Sequence, residues 1–193
     1  MTVPSPRQRF SAGAACLFST PLAKGEISAP PFGSDTRART VTLQQRPALM
    51  GTLALRLPLA SGKQVELSGS VARSMVRARD DFAQWDVAPA TIGNAVVGIG
   101  YLYRHSLALR AGVGATRLFA AESSVFAGGT GIRPLLEAGA SGGIAAGRHP
   151  IEIDVRLQLH TFGTATLQDN GGSDGSVMRA IIQVGTTLWQ TGR

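Results

Sequence analysis

The chain has 193 residues, with 19 Lys+Arg against 12 Asp+Glu, a formal charge of +7. That length supplies one domain with its own core and not two, and 44% hydrophobic against 16% charged residues excludes a disordered chain. A single cysteine excludes an intramolecular disulfide and a cysteine-based zinc site, and no run of about 18 uncharged apolar residues exists for a helical membrane span.

From the N-terminus, residues 1–23 read as an export leader. Arg7 and Arg9 make a basic start, residues 10–18 are small or apolar apart from Ser11, and a small-residue stretch ends at Ala23. Gly13 stands where a lipoprotein box ending at Cys16 would need a branched apolar residue. Residues 24–39, with Pro30, Pro31, Gly33, Ser34 and Asp35, read as a linker or extended arm.

Alternation then begins and hardly stops. Residues 40–45 give a short first strand. Residues 51–59 set Leu53, Leu55, Leu57 and Leu59 against Arg56, and 64–74 set Val65, Leu67 and Val71 against Glu66, Ser68 and Ser70. Residues 94–103 are a weaker copy. Residues 106–118 place Leu107, Leu109 and Val113 opposite Arg110, and 135–146 place Leu136, Ala138 and Ile144 opposite Glu137. Residues 151–160 alternate without a fault: Ile151, Ile153, Val155, Leu157 and Leu159 face one way, and Glu152, Asp154, Arg156, Gln158 and His160 the other. Residues 178–189 close the series.

The connections are ordered too. Residues 61–63, 104–105 and 147–150 are tight turns, whereas 75–92, 119–131 and 161–177 read as long polar connections. Short and long therefore alternate, so the turns gather at one end of an up-and-down sheet and the loops at the other. Eight strands of nine to eleven residues with one apolar face predict an all-β fold, an eight-stranded antiparallel transmembrane β-barrel over residues 40–193. In hydrocarbon such a sheet must close, because each unpaired backbone group at an edge costs several kcal/mol.

In this pattern and loop order the chain resembles the small eight-stranded outer-membrane β-barrels of Gram-negative bacteria, the group of the OmpA membrane domain and OmpX. The segment Gln183-Val-Gly-Thr-Thr-Leu-Trp189 resembles the assembly signal in the last strand of that group, although the chain continues Gln190-Thr-Gly-Arg193 instead of stopping on an aromatic. The resemblance implies a bacterial outer-membrane location and the barrel-assembly machinery as a partner.

Several groups of residues follow from the barrel. Arg56, Glu66, Arg110, Glu137, Glu152, Asp154 and Arg156 are expected to face inwards and to pair into a ladder that plugs the lumen, since isolated charges would not survive there. Tyr101, Tyr103 and Trp189 at the turn end, with Phe119 and Phe162 at the loop end, are read as an aromatic belt. Arg73, Arg77 and Arg79 fall at the loop end, where lipopolysaccharide head groups would lie. Nucleic acid is excluded as a partner, because Asp80 and Asp81 follow these arginines and the strands assemble no basic face with interleaved aromatics.

No catalytic, cofactor or metal site is expected. His105 and His149 fall in tight turns. His160 invites comparison with the barrel lipid A deacylases, but Thr161-Phe162-Gly163 follows it where that group has a serine two residues on. The Asp169–Gly175 segment lacks the acid spacing of a calcium loop, and Gly128-Gly-Thr-Gly131 lacks the lysine of a phosphate loop. Both read as loops, at which an external protein partner is left open.

The function expected is thus a structural or surface-interaction role. Alternation alone leaves a second reading, a soluble lipocalin-like barrel binding an apolar ligand, in which the sheet turns its aliphatic face inwards.

Overall fold

The computed structural model describes residues 8–27, 39–59, 61–103, 107–120, 131–144, 150–162 and 175–191. They form ten strands: β1 (Arg9–Ser19), β2 (Ala23–Ile27), β3 (Arg39–Gln45), β4 (Ala48–Pro58), β5 (Lys63–Arg79), β6 (Gln84–Tyr103), β7 (Leu107–Ala120), β8 (Ile132–Ile144), β9 (Ile151–Phe162) and β10 (Gly175–Gln190). All pairings are antiparallel, and β1 pairs with both β4 and β10, so β1 and β4 to β10 close into an eight-stranded barrel. His105, His149, residues 128–130 of the glycine run and residues 169–174 lie outside the described residues.

The register fixes the geometry. A rung leaving β1 at Arg9 passes through Arg56, Glu66, Gly98, Gly112, Glu137, Gln158 and Arg179 and returns to β1 at Ser19, ten residues along. Eight strands with that offset tilt about 40° from the axis on a radius of about 8 Å, wide enough for side chains to fill and no more. Each residue then advances about 2.5 Å along the axis, so the five outward aliphatics of β9 span about 20 Å.

The first strand differs from expectation. Residues 9–19, read from the sequence within a leader, are β1, and the barrel domain begins at Arg9 instead of 40. Ser11, Ala15 and Leu17 point inwards while Ala14, Cys16 and Phe18 point outwards. Both faces are small or apolar, so the segment has no polarity contrast to announce a strand. The arm read over 24–39 supplies β2, and β3, expected as the first barrel strand, is instead its hairpin partner; residues 28–38 lie outside the described set. β3 docks through Thr42 to Gln45 on Arg79 to Val76 of β5, beyond the point where β4 ends.

The connection expected over 75–92 is also strand. β5 and β6 run on for 17 and 20 residues, and only residues 80–83 turn, where Asp80 Oδ1 accepts from the amides of Phe82 (2.8 Å) and Ala83 (2.6 Å). At the other end, Ser61 and Gly62 both adopt positive φ, 63° and 74°, the conformation of a tight hairpin turn. At the loop end, beyond the lipid-facing band, the inward face turns apolar. Leu17, Leu22, Val41, Leu43, Val76, Ile92, Leu118, Phe162, Val177 and Ile181 pack there as a buried core beneath the β2–β3 hairpin.

Candidate functional site

Parity along each strand sorts the side chains. Ile151, Ile153, Val155, Leu157 and Leu159 are 41–51% exposed on the outside, whereas Asp154, Arg156, Gln158 and His160 are buried inside. Leu53, Val71, Val97, Ile99, Leu109, Val113, Leu136, Ile182 and Val184 complete an apolar exterior. A water-soluble barrel would carry the reverse arrangement, so the lipocalin-like reading is set aside.

The turn-end half of the lumen holds in one cluster all seven charges expected from the sequence to face inwards. Arg56 donates through Nε to Glu66 (2.7 Å) and through Nη1 to Glu152 (2.6 Å). Arg110 pairs with Glu66, with Glu137 at 3.0 Å and with Asp154 at 3.2 Å. Arg156 donates to Asp154 at 2.8 Å and stands 3.6 Å from Glu66 and 3.8 Å from Glu137. Gln158 Nε2 adds a hydrogen bond to Glu137 at 2.7 Å. Three guanidiniums thus bind four carboxylates, the seven residues coming from five strands, and Glu66, Glu137 and Asp154 each share more than one donor. That sharing offsets the desolvation of a buried ion pair, which an isolated pair would leave largely uncompensated.

Above the cluster lies a polar layer that the sequence reading did not single out. Arg179, 1% exposed, donates through Nη1 to Thr116 Oγ1 (3.1 Å) and Asn94 Oδ1 (3.5 Å), and Asn94 in turn donates to Ser70 Oγ at 3.0 Å. Among the described residues none of its partners is a carboxylate. The alternation of β10 places Arg179 inwards with Val177, Ile181 and Gln183, so parity was the signal that could have found it. His160 is buried in the same lumen, its Nδ1 2.9 Å from the carbonyl oxygen of Thr161. It faces the lumen, away from lipid.

The aromatic group divides. Tyr101, Tyr103, Phe119 and Trp189 are all about half exposed, at 49–50%, on the outer face. Phe162 is corrected: it is 3% exposed and belongs to the loop-end core. It follows Glu152 and His160 at even spacing and so shares their inward face. Arg73, Arg77 and Arg79 share the outward face of β5 at the loop end. Arg77 donates to Asp86 at 2.8 Å, and Arg46 stands 3.9 Å from the same carboxylate. Among the described residues Arg73 and Arg79 have no carboxylate within ion-pair distance.

Closed topology, apolar exterior and packed polar lumen define the class of structure: an eight-stranded outer-membrane β-barrel. Comparison with solved structures agrees. OprG from Pseudomonas aeruginosa is similar over 94% of this chain and 92% of its own, with a TM-score of 0.56 at 10% identity. The outer membrane protein AlkL, solved in lipid bilayers, is similar over 100% of this chain and 95% of its own, with a TM-score of 0.50 at 16% identity. At those identities the likeness is one of fold. No family model and no curated protein matches the sequence.

Proposed function

We propose that this barrel is a closed, non-catalytic surface protein whose loop-end rim holds the anionic head groups of lipopolysaccharide. The observation that carries the reading is the arginine row of β5: Arg73, Arg77 and Arg79 stand on the outer face directly beyond the apolar band. Guanidiniums at that level meet phosphate as bidentate donors and are drawn to an anionic leaflet by its surface potential. The lumen supports the same role. Its turn-end part is filled by ion pairs and its loop-end part by aliphatic side chains, with the Arg179–Thr116–Asn94 layer between them, in a barrel only wide enough for side chains. The loop end of the barrel is the surface for an external protein partner, and insertion through the barrel-assembly machinery rests on residues 183–189 in the strand that pairs with β1.

The test is the lipopolysaccharide-to-protein ratio of the barrel purified from outer membranes in mild detergent. The Arg73→Gln/Arg77→Gln/Arg79→Gln variant should retain several-fold less lipid. Equal retention would remove the rim from the account. In planar bilayers the wild-type barrel should add no discrete conductance steps, and reproducible steps would show that the lumen opens.

A further inference from the structure

The outer wall is not uniformly convex. A depression of about 970 Å³ crosses it from β1 through β4, β5, β6 and β7 to β8. Two neighbouring outward rows make it. One runs Leu53, Gly69, Ala95, Ala115, and the next runs Gly51, Val71, Gly93, Arg117. Glycine and alanine at most of these positions expose the backbone as a floor, and Leu53, Val71, Phe119 and Ile132 stand up around it as walls. From β1 to β7 the groove is about 19 Å long at the ordinary strand spacing. It climbs with the rungs, so its β7 end lies at the loop end of the barrel.

That end is basic. The Arg117 guanidinium lies 4.7 Å from the Phe119 ring centroid, and the ring leans over Gly93, where an added Cβ would meet it at 3.3 Å. Arg73 is the next outward residue of β5 after Val71 and shares a rung with Thr91 and Phe119. Two guanidiniums two strands apart therefore flank the mouth of an apolar trough, and among the described residues that line it none is acidic.

We infer that this groove is a lipid-binding site for one molecule of lipopolysaccharide, with an acyl chain along the Gly51–Gly69–Ala95 floor and a lipid A phosphate between Arg117 and Arg73. The inference rests on the rim reading above and adds to it a defined site. Hydrocarbon surrounds this wall, so an alkyl chain fills the trough at no desolvation cost, and the charge at the mouth selects a lipid with a phosphate near its chains over a neutral one.

Two glycines make the test clean. An ideal Cβ at Gly51 has nothing within 4 Å, and at Gly69 it meets only the Asn94 carbonyl oxygen at 3.8 Å, so leucines there fill the groove without displacing backbone. The delipidated full chain in detergent is titrated with purified lipid A, with phosphatidylglycerol and with inorganic phosphate, and complexes are counted by native mass spectrometry. The wild type should form a one-to-one lipid A complex that inorganic phosphate does not displace. Gly51→Leu/Gly69→Leu, with every arginine in place, and Arg117→Gln should each weaken it at least tenfold. A filled variant that keeps its heat-dependent gel shift and binds lipid A like the wild type overturns the groove. If the three-arginine variant alone loses lipid, the rim stands and the groove falls. Should the double leucine variant lose its gel shift, Gly69→Val and Arg117→Gln decide the matter in its place. Equal binding of phosphatidylglycerol would overturn the choice of lipopolysaccharide as occupant, and displacement by inorganic phosphate would reassign the cationic mouth to a free anion.

Discussion

Arg110→Met is the substitution that tests the lumen most directly. Arg110 pairs with Glu66, Glu137 and Asp154 together, closer to Glu66 and Glu137 than Arg156 is, and the four side chains are 6%, 5%, 3% and 1% exposed. Water therefore screens little of the interaction. The native cluster carries three positive and four negative groups, one excess negative charge, and the substitution leaves two. Methionine preserves most of the volume, so the change is one of charge more than of packing. Removing one partner of a buried pair costs about 3–5 kcal/mol, in line with about 4 kcal/mol for a unit pair 4 Å apart at an effective dielectric of about 20. With a urea slope of about 2 kcal/mol per molar, the unfolding midpoint should fall by about 1.5–2.5 M. The assay is urea unfolding of the barrel refolded into phospholipid vesicles, followed by the fluorescence of Trp85 and Trp189 and by gel migration without boiling. Adding Glu137→Gln to Arg110→Met restores the native excess of one negative charge and keeps an acceptor for Gln158. It should recover about half the loss. An unchanged midpoint in Arg110→Met would refute the argument, and a loss that Glu137→Gln does not relieve would show that shape and not charge is at stake.

Three further outcomes follow from the same structure. Arg179→Met should change stability by about 1 kcal/mol or less, since among the described residues that guanidinium donates to neutral Thr116 and Asn94 and to no carboxylate; a fall as large as that of Arg110→Met would mean that Arg179 balances the carboxylates below it. Cys16, exposed on the outer face of β1 between Leu49 and Ile182, should react in vesicles with a lipid-partitioning maleimide and not with a charged one; fast labelling by the charged reagent would take β1 out of the lipid-facing wall. Gly114→Val should abolish the heat-dependent gel shift, because a Cβ there collides with the Ala95 carbonyl oxygen and lies 2.8 Å from Val96 Cα. Gly51→Val, on open wall, should keep it, and equal behaviour of the two would deny the tight β6–β7 corner.

How much was legible in the sequence depended on polarity contrast. Residues 151–160 carry aliphatic and charged side chains in strict alternation, and the structure keeps that division residue for residue. The same contrast sorted Arg56, Glu66, Arg110, Glu137, Glu152, Asp154 and Arg156 to one face, because parity is a local property of an extended chain. Beyond the lipid-facing band the contrast inverts. Val76, Ala78, Ala90 and Ile92 turn inwards while Arg77, Arg79 and Asp86 turn out, so the long ends of β5 and β6 resemble a polar connection when read for a lipid-facing stripe. β1 has almost no contrast at all and resembled a leader.

By itself, then, the sequence determined seven of the eight strands of the membrane band, the faces of their side chains and the two unlike ends, all of which follow from a period of two and from turn chemistry. Tertiary structure alone decided which segment closes the barrel, since β1 becomes a strand only by pairing with β4 and with β10, the latter at the far end of the chain. It also decided that the aliphatic face lies outside, that Phe162 joins a core under the β2–β3 hairpin, and that small residues on five strands line up into a groove. Each of these depends on register between segments distant in sequence, and alternation within one strand does not encode register.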